Sequence, residues 1–478
     1  LGAPLSLRRE GGVDRLTGAF IYGTIPAEGE IMRVISRPAA GDMIRRLLLA
    51  WLLTGAIQYT CLPAPERVLS GFSALTGQSF PLLLVGTAAS FALLTLAGLR
   101  WRTAHWERAA LPLCFGWQLV LGLCASWSVP LLCAGLVVLA LLLVYAAYGA
   151  RTDAESLTAA PACTGRRAGL VIAAAAAAVF LAAVLALTVF RVLSYAAPTY
   201  DFGIFSQMFH SMRTTGLPVT TCERDRVLSH FAVHVSPIYY LFLPFYALFP
   251  SPVTLEVLQA LLLASAVIPL WRIARRHGLS GVTAGLLCAL LLLWPAYAGG
   301  TSYDVHENKF LTPLLLWLFD FLDRRCVWGV ALFSVLTCMV KEDAPVYVAV
   351  IALWVILRAL TRTGAERRWG LLTGGAMLVG AVGYFLGVTA WLAADGDGVM
   401  SYRYSNFLYD GSDSLFTVIK AVLLSPVRTL RECFKGEKIA FFFLTMGPLL
   451  FLPLCTRHYE RLVLLIPFLL VNLMSDYT

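Results

Sequence analysis

Long apolar runs separated by short polar stretches recur along the chain from residue 47 to its end. The first four lie near 47–62, 80–98, 109–127 and 129–148, and a fifth, rich in alanine, spans about 168–193. Each is close to the roughly 20 residues that an α-helix needs to cross a bilayer. In hydrocarbon a helix satisfies its own backbone hydrogen bonds, so the pattern predicts an all-α, polytopic transmembrane helical bundle.

Eight further apolar runs complete a predicted count of about thirteen spans. They lie near 253–271, 279–298, 310–322, 326–340, 344–357, 369–393, 437–455 and 462–474. The segment 231–249 is also apolar, but it contains His234 and two prolines. We interpret it as interfacial or re-entrant, because a crossing there would place the arginines of 272–276 outside, against the positive-inside rule.

Composition and charge agree with a membrane protein. Hydrophobic residues make up 59% of the chain and charged residues 14%, whereas soluble domains carry about a quarter charged residues. The 37 Lys and Arg are dispersed into short loops between the apolar runs, so they indicate orientation and not nucleic-acid binding. With the arginine-rich loops in the cytoplasm, we expect a multi-pass protein of the cytoplasmic membrane whose candidate site faces outside.

The same pattern divides the chain into four parts. Residues 1–42 lack a signal-peptide pattern and are predicted to be a poorly ordered cytoplasmic lead-in. Residues 43–150 form a four-span module for packing or assembly, and 151–167 form a cytoplasmic linker. Residues 168–478 are predicted to be the main membrane domain.

The stretch that follows the fifth span concentrates ionisable side chains. Polar groups beside a bilayer are costly, so such a cluster suggests a functional site. Asp201 could act as a general base on an acceptor hydroxyl, or cap a helix that starts near Ile204. His230 and His234 stand four residues apart and would share a helical face, where they could bind a metal or a phosphate or pack against each other.

A second polar stretch between two spans holds Asp304, His306, Glu307 and Lys309 within six residues. With Asp201, the carboxylates of Asp304 and Glu307 could hold a divalent cation such as Mg or Mn, because hard ions take oxygen ligands. Alternatively, Lys309 binds an anion that His306 orients. An ordinary solvated loop is the remaining interpretation.

Two more polar groups fall on the same predicted face. Lys341 either belongs to a self-compensating triplet with Glu342 and Asp343 or reaches a phosphate. Arg403 and Tyr404 suit a phosphate or a sugar, since Arg is a planar fork and Tyr a stacking surface. The basic residues that follow suggest contact with anionic membrane lipid or with a lipid-linked phosphate. They are Lys420, Arg428, Arg431, Lys435 and Lys438.

Several ordered blocks carry a resemblance to a known family. They read YDFGIFSQMFHSM, SHFAVHVSPIYYLFLPFYALFPSP, YDVHENKFLTPLLL, KEDAPVYVAV and YRYSNFLYDGSDS. Over roughly 168–476 the chain resembles an uncharacterised family of predicted bacterial membrane proteins, domain-of-unknown-function family 2079. That family is similar in layout to the GT-C glycosyltransferases, which implies a GT-C-like fold with interfacial helices in the first outer loop.

The likeness to GT-C enzymes implies an inverting transfer of a sugar from a polyprenyl-phosphate donor to an acceptor hydroxyl. Asp201 would be the base, and Asp304, His306 and Glu307 would form the second outer motif. Two departures stand out. Asp201 has no paired acid until Glu223, and the chain ends directly after a span where the family continues, so we expect its C-terminus to be truncated.

Two other classes of function stay open. One is a transporter or flippase of an amphipathic anionic or lipid-linked substrate, and the other is a non-catalytic membrane assembly protein. Transporters are typically built from inverted repeats with ionisable groups near the bilayer midplane. Here the polar groups cluster at one predicted face, which favours the transferase. The oligomeric state is left open.

Overall fold

The computed structural model describes residues 40–101, 103–148, 165–197, 200–398, 401–412, 414–456 and 458–476. The predicted lead-in lies outside these residues except for 40–42, and so does the predicted linker except for 165–167. These described residues belong to one compact unit. Within its described part nearly all regular structure is helical, and the α-helices are short or medium in length with few exceptions.

The α-helices are numbered here in chain order. In order they are α1 (Ala40–Cys61), α2 (Ser73–Thr76), α3 (Phe80–Arg100), α4 (Ala104–Ala125), α5 (Val129–Tyr148), α6 (Arg166–Leu193), α7 (Tyr200–Thr215), α8 (Leu243–Leu248), α9 (Pro252–Ala264), α10 (Val267–Arg276), α11 (Gly281–Leu293), α12 (Pro295–Thr301), α13 (Leu311–Asp323), α14 (Val327–Cys338), α15 (Pro345–Leu360), α16 (Gly364–Asp395), α17 (Leu415–Leu424), α18 (Pro426–Cys433) and α19 (Glu437–Met446). A two-stranded antiparallel hairpin pairs β1 (Val219–Thr220) with β2 (Leu228–Ser229) in the register Val219↔Ser229.

Six helical stretches among the described residues are long and apolar enough to cross a membrane. They are α3, α4, α5, α6, α16 and the continuous pair α9–α10. A seventh span results if α11 and α12, which are bent by 49° relative to each other, count as one. The all-α, multi-pass architecture therefore agrees with the sequence.

The count of thirteen full spans finds no support in the described residues, because several predicted spans form short helices. α13 and α14 contain 13 and 12 residues, and α19 contains 10. At a rise of 1.5 Å per residue, a 13-residue helix extends about 20 Å, less than the roughly 30 Å of a hydrocarbon core. The apolar run 462–474 forms a 3₁₀ segment and a π-helical turn, Phe468–Leu473.

Residues 231–249 do not cross as a helix. They form two 3₁₀ segments, of which the second is Pro237–Leu241, followed by the six-residue α8. Tyr239 from this segment is fully buried in a core with Phe209 of α7, Leu255 of α9 and Phe310. This core packs the segment against α7 and against the loop that precedes α13.

Close packing of α6 against α11 depends on glycines. Gly165 and Gly169 lie at the start of α6, and Gly281 and Gly285 lie at the start of α11. Both pairs have the small-xxx-small spacing that brings membrane helices together. A Cβ atom on Gly169 would overlap the carbonyl oxygen of Gly281. The two helices are therefore in backbone contact at this end.

The helices α17 and α18 pack against the N-terminal helices α3, α4 and α5. Val427 lies in the same core as Leu69 and Leu119, and the Trp51 indole donates a 2.8 Å hydrogen bond to the Leu423 carbonyl. The predicted lipid contact of Arg428 is wrong. Its side chain is 3% exposed and bonds the carbonyls of Gly71 and Asn406.

Lys438 was predicted to contact lipid for the same reason, and this too needs correction. It is 4% exposed, and its ammonium group lies 3.2 Å from the Glu432 carbonyl. Lys435 remains exposed and pairs with the carboxylate of Glu432. The basic residues of this region are thus used largely in internal contacts.

Gly169→Ala tests the contact between α6 and α11. The added methyl group has no space, so we expect a loss of about 1–3 kcal/mol, the usual cost of overpacking. The measurement is the thermal unfolding midpoint of the detergent-solubilised protein. Gly375→Ala is the matched control, because nothing lies within 4 Å of a Cβ atom there. Equal midpoints for the two variants would contradict the contact.

Candidate functional site

The first part of the site is the start of α7. Asp201 occupies the first turn of this helix and is half-buried. Its Oδ2 atom accepts a 2.6 Å hydrogen bond from the Tyr303 hydroxyl. Because Tyr303 precedes Asp304, this bond brings together two stretches that lie about a hundred residues apart in sequence.

The loop between α12 and α13 is held in place by hydrogen bonds to side chains of α9. The backbone amide of Val305 donates to Glu256 Oε1 at 2.7 Å, and that of His306 donates to Gln259 Oε1 at 2.9 Å. Both acceptors are buried within an apolar helix. Buried backbone donors need such partners, so Glu256 and Gln259 fix the path of the loop.

Glu307 is the centre of the next group, which we call the Glu307 cluster: Tyr239, His306, Glu307 and Lys341. The carboxylate is 0% exposed and accepts a 2.6 Å hydrogen bond from the Tyr239 hydroxyl. Lys341 Nζ lies 3.3 Å from Glu307 Oε1, and His306 Nδ1 lies 3.4 Å from Oε2. This cluster joins the 304–309 loop to the turn between α14 and α15.

The charges in this cluster stabilise one another. Burial raises the pKa of Glu307, but His306, Lys341, His234 and the Tyr239 hydrogen bond outweigh it and hold that pKa well below its ordinary value. Burial alone would lower the pKa of Lys341, yet the neighbouring carboxylates leave it raised. Glu307 and Lys341 are therefore an ion pair at physiological pH.

Two further histidines, His230 and His234, each contact a carboxylate. His230 Nδ1 lies 2.8 Å from Glu223 Oε2, and His234 Nδ1 lies 2.9 Å from Glu342 Oε1. Each imidazole thus has its own carboxylate, and their ring centres are 6.0 Å apart. They lie in the 3₁₀ region after β2 and not on a common α-helical face.

Arg403 and Tyr404 belong to a 3₁₀ segment, Ser401–Phe407. The charge of Arg403 opposes the raised pKa of Lys341. Burial and then the charge of Asp343 raise the pKa of Tyr404. Burial likewise raises the pKa of Asp343 itself.

An open cavity of about 650 Å³ lies beside Tyr303, and we call it the Tyr303 cavity. It is lined by Arg191, Gly299, Gly300, Ser302, Tyr303, His306, Asn308 and Lys309. Arg191, in the last turn of α6, donates to the Ser302 carbonyl. Lys309 Nζ bonds the carbonyls of Tyr303 and Asp304 at 2.5 and 2.7 Å. Two cations, an imidazole and an amide thus surround one space.

Burial changes the ionisation of two cavity residues. It lowers the pKa of His306, although the charge of Glu307 opposes the shift. Burial also lowers the pKa of Lys309 to about 8, although Glu256, Asp304 and Glu307 partly oppose the shift. Lys309 therefore changes charge nearer to neutrality than an ordinary lysine does.

The three carboxylates predicted as metal ligands do not form a metal site. Within the described residues, no three His, Cys, Asp or Glu side chains are grouped so that they could hold an ion. Asp201 bonds Tyr303, and Glu307 is enclosed by Tyr239 and Lys341. The residues present do not fit a divalent cation.

The structure gathers most of the predicted site residues, but in two groups. Asp201, His306 and Lys309 lie at or beside the Tyr303 cavity. The others lie in the buried layer around the Glu307 cluster or next to it. They are Asp304, Glu307, His230, His234, Lys341, Arg403 and Tyr404.

Residues that organise the site were missed by the sequence. Tyr303 and Tyr239 each bond a carboxylate, and Arg191 lines the cavity from the end of a span. Glu256 and Gln259 carried a usable signal, because polar side chains inside an apolar run are rare and expensive. The tyrosines carried none, since hydroxyls near a membrane boundary are common.

Comparison with known proteins gives one match. A family model described as "Predicted membrane protein (DUF2079)" matches residues 191–478, more than half of the chain. No curated protein and no solved structure matches. The match confirms the family predicted from the ordered sequence blocks and agrees with the multi-pass helical fold. The likeness to GT-C enzymes stays a prediction.

Glu307→Gln tests the buried ion pair. The substitution leaves the Lys341 ammonium buried without its carboxylate, and breaking such a pair costs about 3–5 kcal/mol. We expect a lower thermal unfolding midpoint in detergent. The double variant Glu307→Gln/Lys341→Met removes both charges and should recover most of that loss.

Glu437→Gln, at an exposed position, is the matched control and should leave the midpoint unchanged. A double variant as unstable as Glu307→Gln alone would show that the ion pair is not the source of the loss.

Proposed function

We propose that this chain, which belongs to the DUF2079 family of predicted membrane proteins, transfers a sugar from a lipid-linked phosphate donor to an acceptor hydroxyl at the Tyr303 cavity. The observation that carries the proposal is the pairing of a carboxylate, Asp201, with a cationic cavity through Tyr303. A base and an anion site side by side are what this transfer requires.

Asp201 is the proton acceptor in this proposal. Its Oδ2 holds the Tyr303 hydroxyl, which orients the carboxylate at the start of α7. The acceptor hydroxyl gives its proton to Asp201 while its oxygen forms a bond to the anomeric carbon. The bond from that carbon to the phosphate oxygen breaks, and the lipid phosphate leaves with the electron pair. Attack from the face opposite the phosphate inverts the anomeric centre.

Lys309 and Arg191 bind the phosphate. Both line the cavity, and charge-assisted hydrogen bonds to phosphate are stronger than neutral ones. Their charges offset the negative charge that develops as the phosphate leaves. His306, whose Nδ1 is turned toward Glu307 and the backbone amide of Asn308, offers Nε2 to a ligand in the cavity.

Transport of the lipid-linked substrate is the second candidate. The bend between α11 and α12 favours it, because broken helices often form the substrate site of transporters. Gly299 and Gly300 at the end of α12 line the same cavity. A transporter would move the substrate across a vesicle membrane without making a new glycosidic bond.

Asp201→Asn should abolish sugar transfer and leave lipid-phosphate binding intact, because the amide cannot accept the acceptor proton. The assay uses purified protein in liposomes with a panel of polyprenyl-phosphate sugars, and it measures product formation and donor translocation separately. Asp395→Asn, an exposed carboxylate at the end of α16, is the control. Full sugar transfer by Asp201→Asn would show that Asp201 is not the base. Translocation of the donor without product formation would favour the transporter.

Lys309 predicts a pH dependence of donor binding. Its lowered pKa means that it is protonated below about pH 8 and neutral above it. If the phosphate needs the ammonium form, affinity for a polyprenyl phosphate should fall by about tenfold per pH unit above that point. Lys309→Arg keeps its charge and should remove the fall. If the affinity of the wild-type protein did not change between pH 7 and pH 10, the role of Lys309 would be contradicted.

A further inference from the structure

A second cavity lies at the other end of α6. This helix begins at Arg166 and carries Arg191 in its last turn. At a rise of 1.5 Å per residue the two arginines are roughly 38 Å apart, about the thickness of a bilayer with its headgroup regions. A cavity at Arg166 is therefore separated from the Tyr303 cavity by the length of a membrane span.

This second cavity, the Arg272 cavity, has a volume of about 460 Å³. It is lined by Arg166, Trp271, Arg272, Arg275 and Arg276. The start of α11 packs against the start of α6 at this level, because a Cβ atom on Gly281 would lie 2.6 Å from the Arg166 Cα atom. The cavity itself is lined from α6 and α10, and its charged lining residues are all arginines.

A buried carboxylate fixes two of these arginines in place. Asp320 is 0% exposed, and its carboxylate oxygens lie 3.1 Å from Arg272 Nη2 and 2.5 Å from Arg276 Nη2. Asp323 Oδ2 lies 3.2 Å from Arg276 Nη1. The Arg272 guanidinium also lies over the Trp317 ring, 5.3 Å from its centre. Guanidinium groups held this way lose little freedom when they bind a ligand.

The charge of the cavity selects an anion. Four arginines line the cavity, and the carboxylates of Asp320 and Asp323 contact Arg272 and Arg276, so the lining carries more positive than negative charge. The arginines stand where the α9–α10 span ends and the α6 span begins, and Trp271 among them is typical of the membrane interface. Headgroups of membrane lipids occupy that level.

We propose that the Arg272 cavity binds the phosphate headgroup of an anionic membrane lipid, at the opposite end of α6 from the Tyr303 cavity. Basic pockets between transmembrane helices are suited to such headgroups, and each Lys or Arg near an anionic surface adds to the affinity. The bound lipid would bridge α6 and α10. The site is independent of the sugar-transfer function.

The test is the double variant Arg166→Gln/Arg275→Gln, which leaves the contacts of Asp320 with Arg272 and Arg276 in place. Native mass spectrometry of the protein in detergent, titrated with phosphatidylglycerol, gives the affinity of the tightest bound lipid. Loss of two cations should weaken it roughly thirtyfold. Phosphatidylcholine, which has no net charge, should bind weakly to both proteins.

The matched control is Arg100→Gln/Arg367→Gln, which removes the same charge from two exposed positions outside the cavity. It should bind phosphatidylglycerol as the wild type does. Equal weakening in both double variants would mean non-specific attraction and overturn the site. Displacement of the lipid by inorganic phosphate at millimolar concentration would show that the cavity takes free phosphate, and it would overturn the lipid assignment.

Discussion

The ion pair between Glu307 and Lys341 is the interaction on which the candidate site depends. It joins the loop before α13 to the turn before α15, two stretches that share no regular secondary structure. Burying two charges is costly, and the cost is offset only when their remaining hydrogen-bonding capacity is used. Here Tyr239 and His306 supply part of that, so the segment 231–249 becomes a necessary part of the site.

A second constraint acts from within the membrane helices. Glu256 and Gln259 accept the amides of Val305 and His306, which fixes the backbone of the loop that carries the site. The glycine contacts between α6 and α11 fix the helix that carries Arg191 in relation to the one that leads to α12. The Tyr303 cavity is therefore bounded by elements that are each held by buried contacts.

The sequence predicted the membrane class, the family and the stretches that carry the polar groups, because these depend on composition and local order. It could not predict the number of spans, since an apolar run such as 437–455 does not reveal where its helix will end. It also placed Arg428 and Lys438 against lipid, because charge is visible in a sequence and burial is not. The different environments of Lys309 and Lys341 depend on contacts across the fold, and the spacing of residues in the sequence does not reveal such contacts.

Those two lysines show how environment assigns a role. Lys341 is 5% exposed, and its carboxylate neighbours keep it charged, so its charge serves Glu307 inside the protein. Lys309 lines the Tyr303 cavity, bonds two backbone carbonyls and has a lowered pKa. A cation that is not neutralised by a direct carboxylate contact gains more from an incoming phosphate than one already paired. Of the two lysines predicted to bind phosphate, we therefore give that role to Lys309 in the proposed mechanism.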